Sequence, residues 1–194
     1  MAQTGMDEVK LVAALKGRDS AAIEALIQTH GNRLLRSATL LCGDETNAQD
    51  LVQDTFVEAL RSVHRFRGQA SLYTWLHSIL LNLTRHYRRD GKRLVYDNEL
   101  AAQEAAVLEE RPSASDFESA AAELARALRQ LSDSHREVLV LRYYEHMKIH
   151  ELARRLGVSQ GTVKSRLHYA IREMQKLLPA EMNLFGAGGT KETV

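Results

Sequence analysis

Between Leu72 and Tyr87 the apolar residues Leu72, Trp75, Leu76, Ile79, Leu80, Leu83 and Tyr87 recur at i, i+3, i+4, i+7, i+8, i+11 and i+15. An α-helix gathers such a series on one side, and that side must then be laid against other elements. The same period runs through Ile23, Leu26, Ile27, Leu34, Leu35 and Leu41, through Leu51, Val52, Phe56, Leu60 and Val63, and through Val163, Leu167, Ala170, Ile171, Met174, Leu177 and Leu178. Only two prolines occur in 194 residues, so little interrupts it. The expectation is an all-α protein with no substantial sheet.

Local signals divide the pattern into helices. The first spans Asp7 to Lys16 and the second Ser20 to about Cys42, ended by Gly43. A third begins near Asp44 or Thr46, either of which can cap it, and is broken at Gly68 within HRFRGQA. Ser71 caps the fourth. From Gly91 to about Ser115 the chain is acidic, Ala-rich and nearly free of aromatics, which reads as a linker with a transient helix at Leu100 to Glu109. Helices follow at Asp116 to Gln130, Ser134 to Tyr144, Lys148 to Leu156 and Ser159 to Leu178. The reading is thus two small helical domains, 1–93 and 116–180, joined by a flexible acidic linker at 94–115 and followed by a disordered tail at 181–194.

Charge follows the same division. The formal net charge is only +1, yet residues 61–93 carry 8 Lys/Arg against one acid, residues 94–125 carry 8 acids against one base, and residues 126–178 carry 11 bases against 5 acids. Two basic blocks around an acidic one fit two polyanion-binding surfaces, although solvated helix faces would give the same count. The single cysteine, Cys42, cannot form an internal disulfide. No stretch resembles a signal peptide or a membrane span, so a cytoplasmic protein without membrane insertion is expected.

The stretch LGVSQGTVKSRLHYAIREM sets Gly157 between two short helical patterns, with Ser159 placed to cap the second. That is a helix-turn-helix signature. With the apolar series turned to the core, Gly161, Lys164, Ser165 and His168 fall on the other side, while Thr162 and Gly161 allow a phosphate to approach the N-terminal turn and Arg166 reaches outwards. The bland alternative is a helical hairpin with a solvated face, but turn, cap and cations together favour DNA.

In the block from Arg61 to Arg93, Thr74, Ser78, Asn82, Arg85 and Arg89 recur opposite the apolar stripe, with His86 and Arg88 beside them. An amide among cations suits nucleic acid. Stacking on unpaired bases needs an aromatic platform. Trp75 lies on the apolar stripe and reads as a core residue, which leaves Phe66, in its Gly-containing loop, as the better platform.

His146 and His150 make an H-x3-H pair, but no third ligand lies nearby and the pair straddles an inter-helix turn, so a metal site is not expected. No Gly-rich phosphate loop and no nucleophile with a base at supporting spacing is visible. The chain reads as a non-enzyme without a cofactor.

Three stretches in this order resemble a bacterial RNA polymerase sigma factor of the extracytoplasmic-function group within the sigma-70 family, across roughly residues 7–178. DLVQDTFVEAL is similar to the segment that grips the clamp helices of the polymerase beta-prime subunit. FRGQASLYTWLHSILLNLTRHYRR is similar to the segment that opens and reads the minus-10 element. SDSHREVLVLRYYEHMKIHELARRLGVSQGTVKSRLHYA is similar to the domain that reads the minus-35 element.

The resemblance implies a core-polymerase contact at Asp50, Leu51, Gln53, Asp54 and Phe56. It implies minus-10 contacts at Ser78, Asn82, Arg85, His86 and Arg89, with the loop from Phe66 through Arg67, Gly68 and Gln69 to Ala70 holding a base flipped from the stack. It implies minus-35 reading by Gln160, Gly161, Thr162, Lys164, Ser165, Arg166 and His168. Ser132 stands where the family usually has proline, and Tyr169 where arginine is common. The implied function is promoter-specific transcription initiation with core RNA polymerase, through its beta-prime and beta subunits, on promoter DNA and under an anti-sigma factor.

Two other classes compete. A stand-alone helix-turn-helix repressor or activator would use the last two helices but would need neither the DLVQDTF stripe nor the helix bearing Asn82. A metal-dependent hydrolase would need bound metal.

Overall fold

The computed structural model describes residues 3–97 and 116–179, in two compact units. The expected linker and tail, including the transient helix at 100–109, lie mostly or wholly outside the described residues. Every regular element among the described residues is helical.

The first unit contains α1 (Gln3–Lys16), α2 (Ser20–Cys42), α3 (Glu45–Ser62), a 3-10 turn (Val63–Arg65) and α4 (Leu72–Asp97). Asp19 caps α2, its Oδ1 accepting the N–H groups of Ala21 at 2.8 Å and Ala22 at 3.3 Å. Gly43 ends the helix at φ +81, where a left-handed residue lets its N–H reach the Thr39 carbonyl. Asp44 rather than Thr46 caps α3, its Oδ1 accepting the Thr46 N–H at 3.0 Å. Ser71 caps α4.

The core of this unit is drawn from four helices: Val12 and Leu15 of α1, Leu26, Leu34 and Ala38 of α2, Leu51, Val52 and Phe56 of α3, and Leu72, Leu76 and Leu80 of α4. α4 does not stop near Gly91 but continues to Asp97. One glycine inside a helix costs only about 1 kcal/mol, so it need not mark a boundary.

The buried side of α4 also differs from the expected stripe. Leu72, Leu76, His77, Leu80, Leu81 and Thr84 are buried, Trp75, Ile79 and Leu83 are half-buried at its edges, and Tyr87 is 44% exposed. The two buried polar groups are hydrogen-bonded: His77 Nε2 lies 2.9 Å from Ser37 Oγ, and Thr84 Oγ1 donates to the Leu80 carbonyl at 2.9 Å. Polar residues that find partners cost little to bury, which is why a hydrophobic period alone misplaced the stripe.

The second unit holds α5 (Asp116–Gln130), α6 (Asp133–Leu139) with a π-helical turn (Val140–Tyr144), α7 (Ile149–Leu156) and α8 (Gln160–Leu177). Val138, Leu141, Leu152, Val163, Ala170 and Met174 form its buried centre. Ser132 caps α6, a role that proline in this position could not take. Arg136, itself buried, donates to the carbonyls of Leu128 at 2.8 Å, Arg129 at 2.9 Å and Leu131 at 3.1 Å. One guanidinium thus satisfies the open end of α5 and fixes it to α6. Gly157, at φ +67, makes the sharp turn from α7, and the Ser159 hydroxyl accepts the Thr162 N–H at 3.0 Å to start α8.

Candidate nucleic-acid and polymerase interfaces

α3 rests on the core through Ala48, Leu51, Val52, Thr55, Phe56 and Ala59 and presents Asp50, Gln53, Asp54, Val57 and Glu58 outwards. The five residues expected to meet polymerase therefore separate. Asp50, Gln53 and Asp54 are exposed, whereas Leu51, 5% exposed, and Phe56, 7% exposed, are core side chains. The reason is geometric: Leu51 and Phe56 lie on the side shared with Val52, Thr55 and Ala59, so they position the helix rather than face a partner. Val57, 46% exposed, takes their place as the apolar member of the outer face. Its signal was available, because residues 50, 53, 54 and 57 are spaced i, i+3, i+4 and i+7.

On α4, Asn82, His86 and Arg89 are exposed and Ser78 and Arg85 half-buried. Arg89 Nη2 lies 2.7 Å from His86 Nδ1, so these two form a joined polar group. Arg88, beside them, is anchored instead to the Leu41 carbonyl at the end of α2. Trp75 precedes Asn82 by seven residues, two helical turns, and so shares its side of α4. It is half-buried, with Phe66 tilted against it at a ring-centroid distance of 5.2 Å. Phe66 is half-buried by the same contact, whereas Arg67, Gly68, Gln69 and Ala70 are exposed.

The 66–71 loop and α1 enclose a cleft of about 550 Å³, with Val12 and Lys16 on one wall and Phe66, Arg67, Gly68 and Ser71 on the other. Gly68 sits at φ +69, a conformation that side-chain-bearing residues rarely adopt. The Glu8 carboxylate of α1 accepts the Leu72 N–H at the start of α4, which ties the two walls together. Nothing in the sequence joined α1 to this loop, because the contact spans 64 positions.

Behind the loop, Tyr73 lies under the Arg33 guanidinium, 3.8 Å from ring centre, and beside His30 at 5.9 Å and His77 at 6.0 Å. Burial lowers the His30 pKa below its ordinary 6.5; Glu8 opposes the shift and Arg33 adds to it. Cys42 is half-buried with its thiol directed at the Ala38 carbonyl, 2.9 Å away, and burial raises its pKa. A thiol held in its neutral form is a poor nucleophile.

On α8 the buried line is Val163, Leu167, Ala170 and Met174. Gln160, Gly161, Lys164, Ser165 and His168 are exposed, while Thr162 and Arg166 are half-buried. Ser159 Oγ lies 2.9 Å from Thr162 Oγ1, and Ser165 Oγ donates to the Thr162 carbonyl at 3.0 Å, so both hydroxyls already have local partners. At about 100° per residue, Ser165 points away from the core with Lys164 and Arg166 on opposite flanks. Arg172, Tyr169 and Lys176, all exposed, continue that outer side. Glu173, the only acid of α8, is drawn to His135, 2.7 Å away on α6. Arg172 was missed by sequence reasoning, although it follows Ser165 and His168 at i+7 and i+4.

Among the described residues no three His, Cys, Asp or Glu side chains gather as metal ligands, and no helix is long and apolar enough to cross a membrane. Residues 26–94 match the sequence model for Sigma-70 region 2 and residues 127–176 that for Sigma-70, region 4. The ECF RNA polymerase sigma factor SigL of Mycobacterium tuberculosis is 31% identical over 170 residues, covering 86% of this chain and 94% of the relative. The RNA polymerase sigma factor YlaC of Bacillus subtilis is 34% identical over 166 residues, covering 84% and 94%. Among solved structures, CnrH in complex with the cytosolic domain of CnrY is 29% identical, with a TM-score of 0.61 over 88% of this chain and 96% of that one.

Proposed function

Because the chain belongs to the sigma-70 family, in the extracytoplasmic-function group of RNA polymerase sigma factors, we propose that its three polar helix faces divide the work of promoter recognition. It directs promoter-specific initiation by core RNA polymerase, which carries out the chemistry. Residues 1–93 bind core polymerase and read the minus-10 element, residues 116–180 read the minus-35 element, and the acidic 94–115 segment links them.

The outer face of α3, with Asp50, Gln53, Asp54 and Val57, meets the beta-prime subunit, and the second unit reaches the beta subunit. Ser78, Asn82, Arg85, His86 and Arg89 of α4 hold the minus-10 strand, and the cleft beside Phe66, Arg67, Gly68 and Gln69 takes a base out of the stack. Unstacking costs a few kcal/mol, so base pockets and cations are needed together. Gln160, Gly161, Thr162, Lys164, Ser165, Arg166 and His168 of α8 occupy the minus-35 major groove.

The observation that carries the reading is Asn82, an exposed amide beside Arg85, His86 and Arg89 on a helix whose other side is core. A duplex-only regulator has no use for that arrangement. CnrH was solved in complex with the cytosolic domain of CnrY, which supports control of this chain by a protein partner, and we infer that this partner is an anti-sigma factor. We infer a cytoplasmic location from action together with core polymerase.

Run-off transcription with core polymerase on a genomic promoter library tests the proposal. Discrete start sites that depend on the protein are expected. Footprints on duplex DNA without polymerase, and no polymerase-dependent start sites, would instead establish a stand-alone regulator.

A further inference from the structure

Tyr169 is 56% exposed on α8, and its ring stands edge-on to that of His168, with centroids 5.6 Å apart and planes at 72°. It follows Ser165 by one helical turn on the outer side, where Arg172 and Lys176 also lie. An exposed tyrosine offers a large apolar ring face to a partner, and the His168 contact restricts its orientation, so little freedom is lost on binding. The neighbouring Arg172 and Lys176, both exposed, are suited to phosphates. The apolar group that a major groove offers is the 5-methyl of thymine.

We propose that Tyr169 is a specificity residue whose ring packs on a thymine methyl in the minus-35 element. The inference rests on the assignment of α8 to the major groove. The Tyr169 contact is apolar, so it discriminates among bases without adding to the salt dependence that Lys and Arg supply.

The test uses holoenzyme assembled with core polymerase. Promoters are selected from a library randomised over the minus-35 region, and each thymine of the selected element is replaced singly by deoxyuridine, which lacks the methyl. At one position the parent protein should bind about fourfold more weakly to deoxyuridine, the effect of one methyl-sized group left unburied. Tyr169→Phe keeps that loss, Tyr169→Ala binds thymine and deoxyuridine alike there, and Lys164→Ala keeps the methyl sensitivity while changing base preference elsewhere.

A selected element without thymine, a parent insensitive to every deoxyuridine, or a Tyr169→Ala variant that stays sensitive would overturn the proposal. So would a Tyr169→Phe variant as defective as Tyr169→Ala, which would assign the hydroxyl to a phosphate. If Lys164→Ala changes base preference in those cases, Tyr169 alone is misassigned. If it changes nothing while α8 remains folded, the groove assignment falls as well.

Discussion

Ser37 Oγ and His77 Nε2 meet at 2.9 Å, both side chains buried, and so fix α2 to α4 across 40 positions of sequence. Leaving a buried polar atom without its partner costs about 1–3 kcal/mol. Ser37→Ala should therefore lower unfolding free energy by about that amount, read by urea titration. Since α4 bears Asn82, the variant should also lose transcription on duplex promoters beyond what its folded fraction explains. Unchanged stability would show that the hydroxyl contributes nothing to the placement of α4.

His30 supplies a pH dependence. Its folded pKa is lowered by burial, so between that value and 6.5 the unfolded chain binds more protons than the folded one, and stability falls as the medium becomes more acid. Thermal unfolding of the parent should drop more steeply than that of His30→Gln from pH 7.5 to about pH 5.5. Glu8 and Arg33 face the same imidazole and are present in both proteins. Parallel curves would contradict the assignment.

Arg136 spans the carbonyls of Leu128, Arg129 and Leu131. Hydrogen bonds from a charged group are worth about 1.5–3 kcal/mol each at most, so Arg136→Met should destabilise the second unit by roughly that much or more. Arg136→Lys should not restore it, because an ammonium lacks the planar fork. Amide exchange at the end of α5 would report the loss directly.

α3 separates binding from folding. Asp54→Lys and Val57→Asp should weaken core-polymerase binding while leaving unfolding free energy nearly unchanged. Phe56→Ala should do the reverse, costing about 3–5 kcal/mol of stability with any binding loss following the unfolded fraction. Equal holoenzyme assembly by Asp54→Lys and the parent would remove α3 from the polymerase interface.

Asn82→Ala should impair transcription from duplex promoters and change preference at one minus-10 base, with a smaller loss on templates already mismatched there. Equal defects on both templates would point to a positioning role instead.

Helix order, most caps and the three polar faces were legible because they depend on short-range relations. Asp44 and Ser159 precede the N–H groups they satisfy by two or three residues, and Lys164 and His168 share a side by spacing alone. The sequence by itself determined an all-helical chain with basic faces on α4 and α8. Only the tertiary structure decided which side chains of each stripe reach solvent. Period alone defines the middle of a buried side but not its width, which depends on the neighbouring helices. That is why Tyr87 turned outwards and Trp75 came to lie under Phe66 beside the Asn82 face, whereas Leu51 and Phe56 face the core as their period predicts. His77 and Arg136 could be buried because partners distant in sequence or at a helix end satisfied them. The cleft beside the 66–71 loop required α1, which reaches it only once the chain has folded back on itself.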